Sequence, residues 1–438
     1  MIYFAVVKKT IKKLIPQTVF QRIEPYGHLL EAVMVQGRAG FPARKLQVIG
    51  VTGTDGKSTT CSLILHLLRA NGYKVAMITT ISVDFGDGRG EQPNPSGMTT
   101  PGVATLARLI DQIRRNDVEW LVLETASHAL AQHRVWSIPF SVAVMTNISH
   151  EHLDYHGTFE RYRDAKRQLF KLCSRNKQGL QVGVINADDS NAEYFIKDTI
   201  HPLTYGLSNG DVQASNIQTT NEGSHFTVNI KDQHYDIRCR LPGSFNIYNC
   251  LAAVGVGYAL GLTQPQIEAG IAAMKNPPGR MELVKTGQAF DVIIDYAVTP
   301  NALETVLKDL RSRTQGRILL VFGATGDRDK LKRPIMGQIA AKEADLIFLT
   351  DDETYTEDPD TIRAAVYKGI ANANGKAKTQ QVADRQQAIE QALATAKNND
   401  VVLITGLGHQ TTRNMGGHKQ PWDEKNIILN FIKEQLMT

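Results

Sequence analysis

Cysteine is scarce in this chain: there are four in 438 residues, at Cys61, Cys173, Cys239 and Cys250, with no C-x-x-C pair. That spacing excludes a disulfide scaffold and fits a protein of the reducing cytoplasm. A large excess of one charge is lacking too. The formal net charge is +5, and no basic stripe is interleaved with aromatics, so nucleic acid is not an expected partner. Internal repeats, low-complexity tracts and a disordered tail of any consequence are missing as well. The N-terminus, MIYFAVVKKTIKKLIP, lacks the longer apolar core and small-residue cleavage site of a secretory leader, and it is too short to span a bilayer. It reads as a basic amphipathic helix packed on the protein's own surface in preference to anionic lipid. What remains is an ordinary soluble globular composition, 42% hydrophobic and 21% charged; a monomer is expected. Its length exceeds what one core usually supports, so two or three domains are expected.

From Leu46 to about Lys275 the chain alternates apolar strand-like runs (LQVIGV, KVAMITTI, EWLVLE, SVAVMTNI) with amphipathic helical ones. This predicts a parallel sheet covered by helices on both faces. Residues 211–240 change texture, alternating polar and apolar in short steps, which predicts a small antiparallel appendage. Asn276-Pro-Pro-Gly-Arg280 breaks the pattern as a hinge, and a second alternating series follows (DVIIDY, RILLVFG, DLIFLT, VVLITG). The predicted fold class is α/β: a P-loop central domain with a parallel sheet plus a small antiparallel appendage, followed by a Rossmann-like C-terminal domain. The expected boundaries are 1–45 for a short N-terminal helical segment, 46–276 for the central domain and 277–438 for the C-terminal one.

GVTGTDGKSTT, residues 50–60, joins a strand to a helix. The P-loop pattern G-x-x-x-x-G-K-[ST] is met only at its end, because Val51 stands where its first glycine belongs. The chemistry is intact nonetheless. Gly53 and Gly56 let backbone N–H groups turn toward an anion, Lys57 neutralises phosphate charge, and Ser58 can hold Mg²⁺ at a helix N-terminus. Glu124 closes the apolar run WLVL, so it sits at a strand's C-terminal end, where α/β sites are built. His152 follows the strand-like AVMTNI within SHEHLDYH. A carboxylate and an imidazole on neighbouring strand ends can ligate a divalent metal, although solvated loop residues are an equal reading of either alone.

These clusters occur together and in order: TGTDGKST (52–59), ETASHAL (124–130), TNISHEHLDYHGTFERYRDAK (146–166), GSFNIYNCLAA (243–253), PPGRME (277–282), DYAVTP (295–300) and GATGDRDKLKRP (323–334). The sequence resembles the Mur ligase family in these motifs, and within it the branch that adds the third residue of the peptidoglycan stem peptide. The resemblance implies an ATP-dependent amide ligase, in which a substrate carboxylate attacks the γ-phosphate and the amine of an amino acid displaces phosphate from the acyl phosphate. It implies ATP, two Mg²⁺ sites and CO₂ as a lysine carbamate, with a UDP-muramoyl-peptide-like acceptor and an amino acid as substrates. Gly53, Thr54, Asp55, Gly56, Lys57, Ser58 and Thr59 then hold the phosphates. Ser58, Glu124, His152 and Lys166 serve the metals, Lys166 as the carbamate; Asn246, Asn249, Arg280 and Asp295 receive the nucleoside. On sequence alone Lys166 is a solvated helix residue, Asn246 a helix cap and Asp295 a strand-end turn residue. Ser127, His128, Asp327, Arg328, Lys330, Asp352, Glu353, Tyr355, His409 and Gln410 are expected on the substrate side, with Arg333 in the same charged loop.

The chain departs from the family pattern in four places. About 45 residues precede the first strand, fewer than the domain that holds the uridine diphosphate end of the substrate in relatives. Ala126 replaces a serine, and Val298 a histidine. The amino-acid pocket differs most: relatives adding diaminopimelate carry D-D-N-P-R and G-K-G-H-E, where this chain has Asp351-Asp-Glu-Thr-Tyr355 and Gly406-Leu-Gly-His-Gln410. With Tyr355 in place of arginine, the expected pocket has no cation for a second carboxylate. Diaminopimelate is therefore disfavoured, and Glu353 is expected to meet an amine such as that of lysine or ornithine. Two other readings stay open: a Mur-fold ligase of poly-γ-glutamyl or folylpolyglutamate type, and a non-catalytic nucleotide-binding protein.

Overall fold

In a computed structural model, residues 17–220, 222–274 and 278–437 are described, without the side chains of residues 17–23, 154, 436 and 437. The basic segment 1–16 and hinge residues 276 and 277 lie outside these. The chain forms two compact units: residues up to 213 with 228–235 and 249–273, and residues 214–227, 236–248 and 274 onward.

The large sheet contains β1 (Gln47–Thr52), β2 (Val75–Ile78), β3 (Ser82–Asp84), β4 (Glu91–Pro93), β5 (Trp120–Glu124), β6 (Phe140–Met145), β7 (Val182–Asn186), β8 (His201–Gly206), β9 (Val212–Thr220), β10 (Gly223–Ile230) and β11 (Gln233–Cys239). Their order is β11-β10-β9-β8-β7-β6-β1-β5-β2-β3-β4. β1 lies parallel between β5 and β6, with Val51 opposite Glu124 and Thr52 opposite Met145. Both faces of these strands are covered, so they read as continuous apolar runs rather than alternating ones. The predicted appendage corresponds to β9–β11, which extend one edge of the large sheet. Only two residues separate β10 from β11, a connection that fits antiparallel neighbours alone.

The second unit contains a six-stranded sheet: β12 (Glu282–Val284), β13 (Asp291–Asp295), β14 (Ile318–Phe322), β15 (Leu346–Leu349), β16 (Thr379–Gln381) and β17 (Val401–Thr405), in the order β12-β13-β17-β14-β15-β16. All neighbours are parallel except β12 with β13. Alternate residues feed two separate cores: Ile293, Leu320, Phe322 and Leu403 on one face, Val292, Leu319, Val321 and Val402 on the other. With Asp295 opposite Thr405, the loops after β13, β14, β15 and β17 leave the same edge of the sheet, where doubly wound folds place ligands. A hairpin of β18 (Thr412–Met415) and β19 (His418–Pro421) follows β17.

Among the described residues, no helix is long and apolar enough to cross a membrane. All four cysteines are buried and unpaired with one another.

Candidate active site

In the first unit the chain leaves β1 through a tight loop and enters the helix Lys57–Ala70. Two glycines permit this. Gly53, at φ 151°, lies so close to Thr146 that a Cβ would fall 1.8 Å from its Oγ1. Gly56 has φ 80°, and its Cβ would fall 2.4 Å from the Oδ1 of Asn249. Any side chain at either position would fill the cradle. No side chain caps the helix, so its first N–H groups face the loop, the arrangement that receives an anion.

Neighbouring strand ends hold this loop in shape. Thr54 N–H donates to Asn147 O (2.8 Å), Asp55 N–H to Asn147 Oδ1 (2.9 Å) and Thr146 Oγ1 to Asp55 O (2.7 Å). Lys57 Nζ donates to Thr54 O at 2.7 Å. Ser58 Oγ donates to Glu124 Oε2 at 2.8 Å, and Glu124 also accepts from Thr80 N–H (2.8 Å) and Thr80 Oγ1 (3.0 Å). Glu124 is almost fully buried yet hydrogen-bonded at both oxygens, which is what lets a carboxylate remain in the interior. Ser58 and Glu124 thus form a hard oxygen pair of the kind Mg²⁺ prefers. Thr59 is buried in the first turn of the helix.

Lys166, on the helix Phe159–Arg175, is buried rather than solvated. Its Nζ donates to Gly53 O at 2.5 Å and lies 4.6 Å from the centre of the Tyr162 ring. Burial, reinforced by Lys57, holds its ammonium pKa well below the ordinary lysine value. Tyr162 shares a hydrogen bond of 2.9 Å with Thr54 Oγ1, and burial raises its phenol pKa well above normal. His152 adopts φ 54°, with Nε2 3.7 Å from Glu151 Oε2. Its ring centroid is 4.7 Å from that of His128, and His156 Nε2 lies 3.0 Å from Ser127 Oγ. The structure therefore brings together the phosphate loop, Ser58, Glu124 and Lys166, with Asn249 against Gly56, and gathers Ser127, His128 and His152 into one aromatic–histidine cluster. Among the described residues no three His, Cys, Asp or Glu side chains converge as a ready metal site.

The other expected residues belong to the second unit. Asn246 Nδ2 donates to Pro242 O at 2.6 Å, in the first turn of the helix Phe245–Ala259. Asp295 Oδ2 accepts from Met281 N–H at 2.8 Å. Arg280 places its guanidinium 4.9 Å from the Tyr296 ring centroid, and Tyr296 neighbours His409 at 5.3 Å. Burial pushes the Tyr296 phenol up to about 12 and the His409 imidazole down to about 4, the latter helped by Arg280. Glu357, which sequence reasoning missed, organises the charged loop. It accepts from Arg333 (2.9 and 3.0 Å) and from Asp327 N–H (2.6 Å), and lies 3.1 Å from Lys330. Those contacts, Arg333 foremost, hold its carboxyl down to about 2.

Loop 351–355 and strand β18 are stitched together. Asn414 N–H donates to Glu353 Oε1 (3.0 Å), Tyr355 N–H to Asn414 O (3.2 Å), and Gln410 Nε2 and Tyr355 OH approach Glu353 Oε2 at 3.4 and 3.3 Å. Asp327 and Tyr355 both hold left-handed backbone, at φ 50° and 49°. Arg328, exposed, lies 5.3 Å over the Tyr355 ring. Asp352 is buried, which raises its carboxyl to about 6. A second residue that the sequence did not single out is Arg413 of β18, 4.2 Å over the Trp422 ring. Its only sequence signal is a cation three residues beyond Gln410 in an otherwise uncharged run.

Comparison with known proteins accords with this geometry. Residues 51–257 match the Mur ligase middle domain, and residues 279–408 match the Mur ligase, glutamate ligase domain. The chain is 36% identical over 428 residues to UDP-N-acetylmuramoyl-L-alanyl-D-glutamate–2,6-diaminopimelate ligase 1 of Clostridium acetobutylicum, covering 97% of this chain and 86% of that protein. It is 38% identical to the corresponding ligase of Geobacillus kaustophilus, covering 92% and 82%. A solved structure of a ligase of that name superposes with a TM-score of 0.64 at 30% identity, over 95% of this chain and 84% of that one. The folylpolyglutamate synthase of Mycobacterium tuberculosis, at 18% identity and a TM-score of 0.70 over 86% and 92%, shares the fold. A phosphate loop closed by Ser58 and Glu124, two matched domains and this degree of identity lead to one conclusion: the chain belongs to the Mur ligase family.

Proposed function

We propose that this protein is a MurE-type, ATP-dependent ligase of peptidoglycan stem-peptide synthesis, joining an amino acid to the carboxylate of a UDP-muramoyl dipeptide. The observation that carries the reading is the Ser58–Glu124 pair at the head of a glycine-cradled helix, with Lys57 and the buried Lys166 beside it. Phosphoryl transfer asks little covalent chemistry of a protein; it asks for in-line positioning and for cations over the spreading charge. Gly53 to Thr59 hold the phosphates, and Lys57 exchanges its bond to Thr54 O for phosphate oxygen. Ser58 and Glu124 hold Mg²⁺, which supplies charge stabilisation when bound.

Lys166 suits carbamylation because burial and Lys57 lower the pKa of its ammonium, which favours the neutral amine that adds CO₂ with loss of a proton. The carbamate adds an anionic oxygen where the described carboxylates and imidazoles do not themselves converge. Together with His152 it forms the second cation site in this reading. Asn246, Asn249, Arg280 and Asp295 receive the nucleoside, while Ser127 and His128 face the acyl substrate. Domain 46–276 activates the carboxylate and domain 277–438 delivers the amine. Asp327, Arg328 and Lys330 border the amino-acid pocket, where Asp352, Glu353, Tyr355, His409 and Gln410 read the side chain and Glu353 meets its far amine. The enzyme works as a cytoplasmic monomer.

The test is incubation with ATP, Mg²⁺, UDP-muramoyl-L-alanyl-D-glutamate and each candidate amino acid, following phosphate release and product mass. ADP, phosphate and a product heavier by one amino-acid residue are expected. Turnover confined to another acyl substrate, such as a folate glutamate, would refute the assignment.

A further inference from the structure

Several buried polar atoms of the second unit have no hydrogen-bond partner within the described residues, and six of them cluster in one stretch and the loop beside it: Asp352 Oδ1, His409 Nδ1, Gln410 Oε1, Arg413 Nε and Nη1, and Asn414 Oδ1. Arg413 is the one cation in this set. A guanidinium stays charged at any working pH, and its N–H groups pair best with an anionic acceptor. Of the acids around it, Asp352 keeps one buried oxygen without a partner among the described residues, and the others are engaged elsewhere. Asp351 bonds Arg363, Glu424 bonds Arg385 and Trp422 Nε1, Asp384 caps the helix Arg385–Thr395, and Glu353 accepts from Asn414, Gln410 and Tyr355. The Trp422 ring beneath the guanidinium fixes its plane.

The backbone pairing of Asn414 with Glu353 and Tyr355 sets Arg413 one residue from the Glu353 carboxylate. The cations of this region differ in depth and pairing: Arg328 is exposed above Tyr355, Arg385 is fully buried but bonded to Glu424 and Thr405 O with one nitrogen left over, and Arg413 has two nitrogens buried without a partner among the described residues. An incoming amino acid must keep its α-amine outward to reach the acyl phosphate, so its far end points inward. We propose that Arg413 is a specificity-determining residue of the ligase, receiving a carboxylate at the far end of the incoming amino acid while Glu353 and Gln410 receive an amine there. The proposal rests on the ligase reading above. It replaces the expectation, drawn from Tyr355, that this pocket has no cation for a second carboxylate: the cation comes from β18 instead of the 351–355 loop.

The experiment is calorimetric titration of the full chain, in ADP and Mg²⁺, with meso-diaminopimelate, L-lysine and L-glutamate, repeated on Arg413→Gln and Arg413→Lys. Diaminopimelate is expected to bind roughly tenfold or more tightly than lysine, and Arg413→Gln to remove about that factor and bring the ratio near one, with Arg413→Lys between them. If Arg413→Gln does not fold, as judged by its melting transition, Arg413→Lys carries the comparison. Equal weakening of both ligands would make Arg413 a purely structural counter-charge for Asp351, Asp352 and Asp384. That result, lysine binding as tightly as diaminopimelate to the unaltered chain, or no binding of any of the three would overturn the proposal. The titration needs no acyl substrate, so a wrong ligase reading shows itself separately, as missing product from the UDP-muramoyl dipeptide.

Discussion

The phosphate loop of the first unit and the amino-acid pocket of the second treat buried polar atoms in opposite ways. Around the loop, Lys57 bonds Thr54 O, Ser58 bonds Glu124, the Thr54 hydroxyl bonds Tyr162 and Lys166 bonds Gly53 O, so each has a partner at 2.5–3.0 Å. Around the pocket, Arg413, Gln410, His409, Asn414 and Asp352 keep buried atoms with no hydrogen-bond partner among the described residues. A self-satisfied site is preorganised for one invariant ligand, a polyphosphate. A site with open donors and acceptors leaves its pairing to the substrate, and that is where discrimination is built, because a wrong ligand leaves those groups unpaired.

The sharpest way to break this contrast is at the loop. Lys57→Ala and Lys166→Ala are each expected to lower kcat by roughly 10³-fold or more, since in the proposed mechanism both place charge at the transferring phosphoryl group. Steady-state phosphate release measures this, and near-normal turnover of Lys166→Ala would remove the carbamate from the mechanism. A smaller and different effect is expected at the pocket. Glu353→Gln should raise the KM for the amino acid by about tenfold to a hundredfold with kcat little changed, since a lost charge-assisted bond there weakens binding. An equal fall in kcat would place Glu353 in the chemistry instead.

The smallest expected effect is on stability. The Asp352 carboxyl is raised from 3.8 to about 6 in the folded protein, so the native state holds a proton that the unfolded chain has released. Stability then falls as pH rises from about 4 to 6, by a ceiling of about 3 kcal/mol, and Asp352→Asn should flatten that slope. Melting temperatures of the two proteins between pH 4 and 7 test the sign; parallel curves would show that Asp352 does not titrate in this window.

The same contrast explains what could be read from the residues alone. Strand runs such as VIGV and ILLVF and the loop 53–59 are local patterns whose meaning does not depend on distant residues. Lys166 is the opposite case: a lone lysine in RYRDAKRQLF reads as solvated, and it is buried where its helix meets the loop at Gly53, with Tyr162 one turn earlier on the same helix. Glu357 and Arg413 were missed for the same reason. Glu357 acts through a hydrogen bond to Arg333, 24 residues away in sequence. Arg413 gains its place from β18 pairing with a loop some 60 residues earlier. With Arg413 as proposed, the search for a far-end cation widens from position 355 to the β18–β19 hairpin.

The left-handed backbone at Tyr355 bears on how this enzyme can be retargeted. With φ at 49°, the position favours glycine, asparagine and aspartate, and strongly penalises valine, isoleucine and threonine. A mutant library at this site would therefore sample side-chain chemistry unevenly, with β-branched members lost to loop distortion before their selectivity could be scored. Diversity is better introduced at Gln410 and Arg413, whose backbone carries no such restriction.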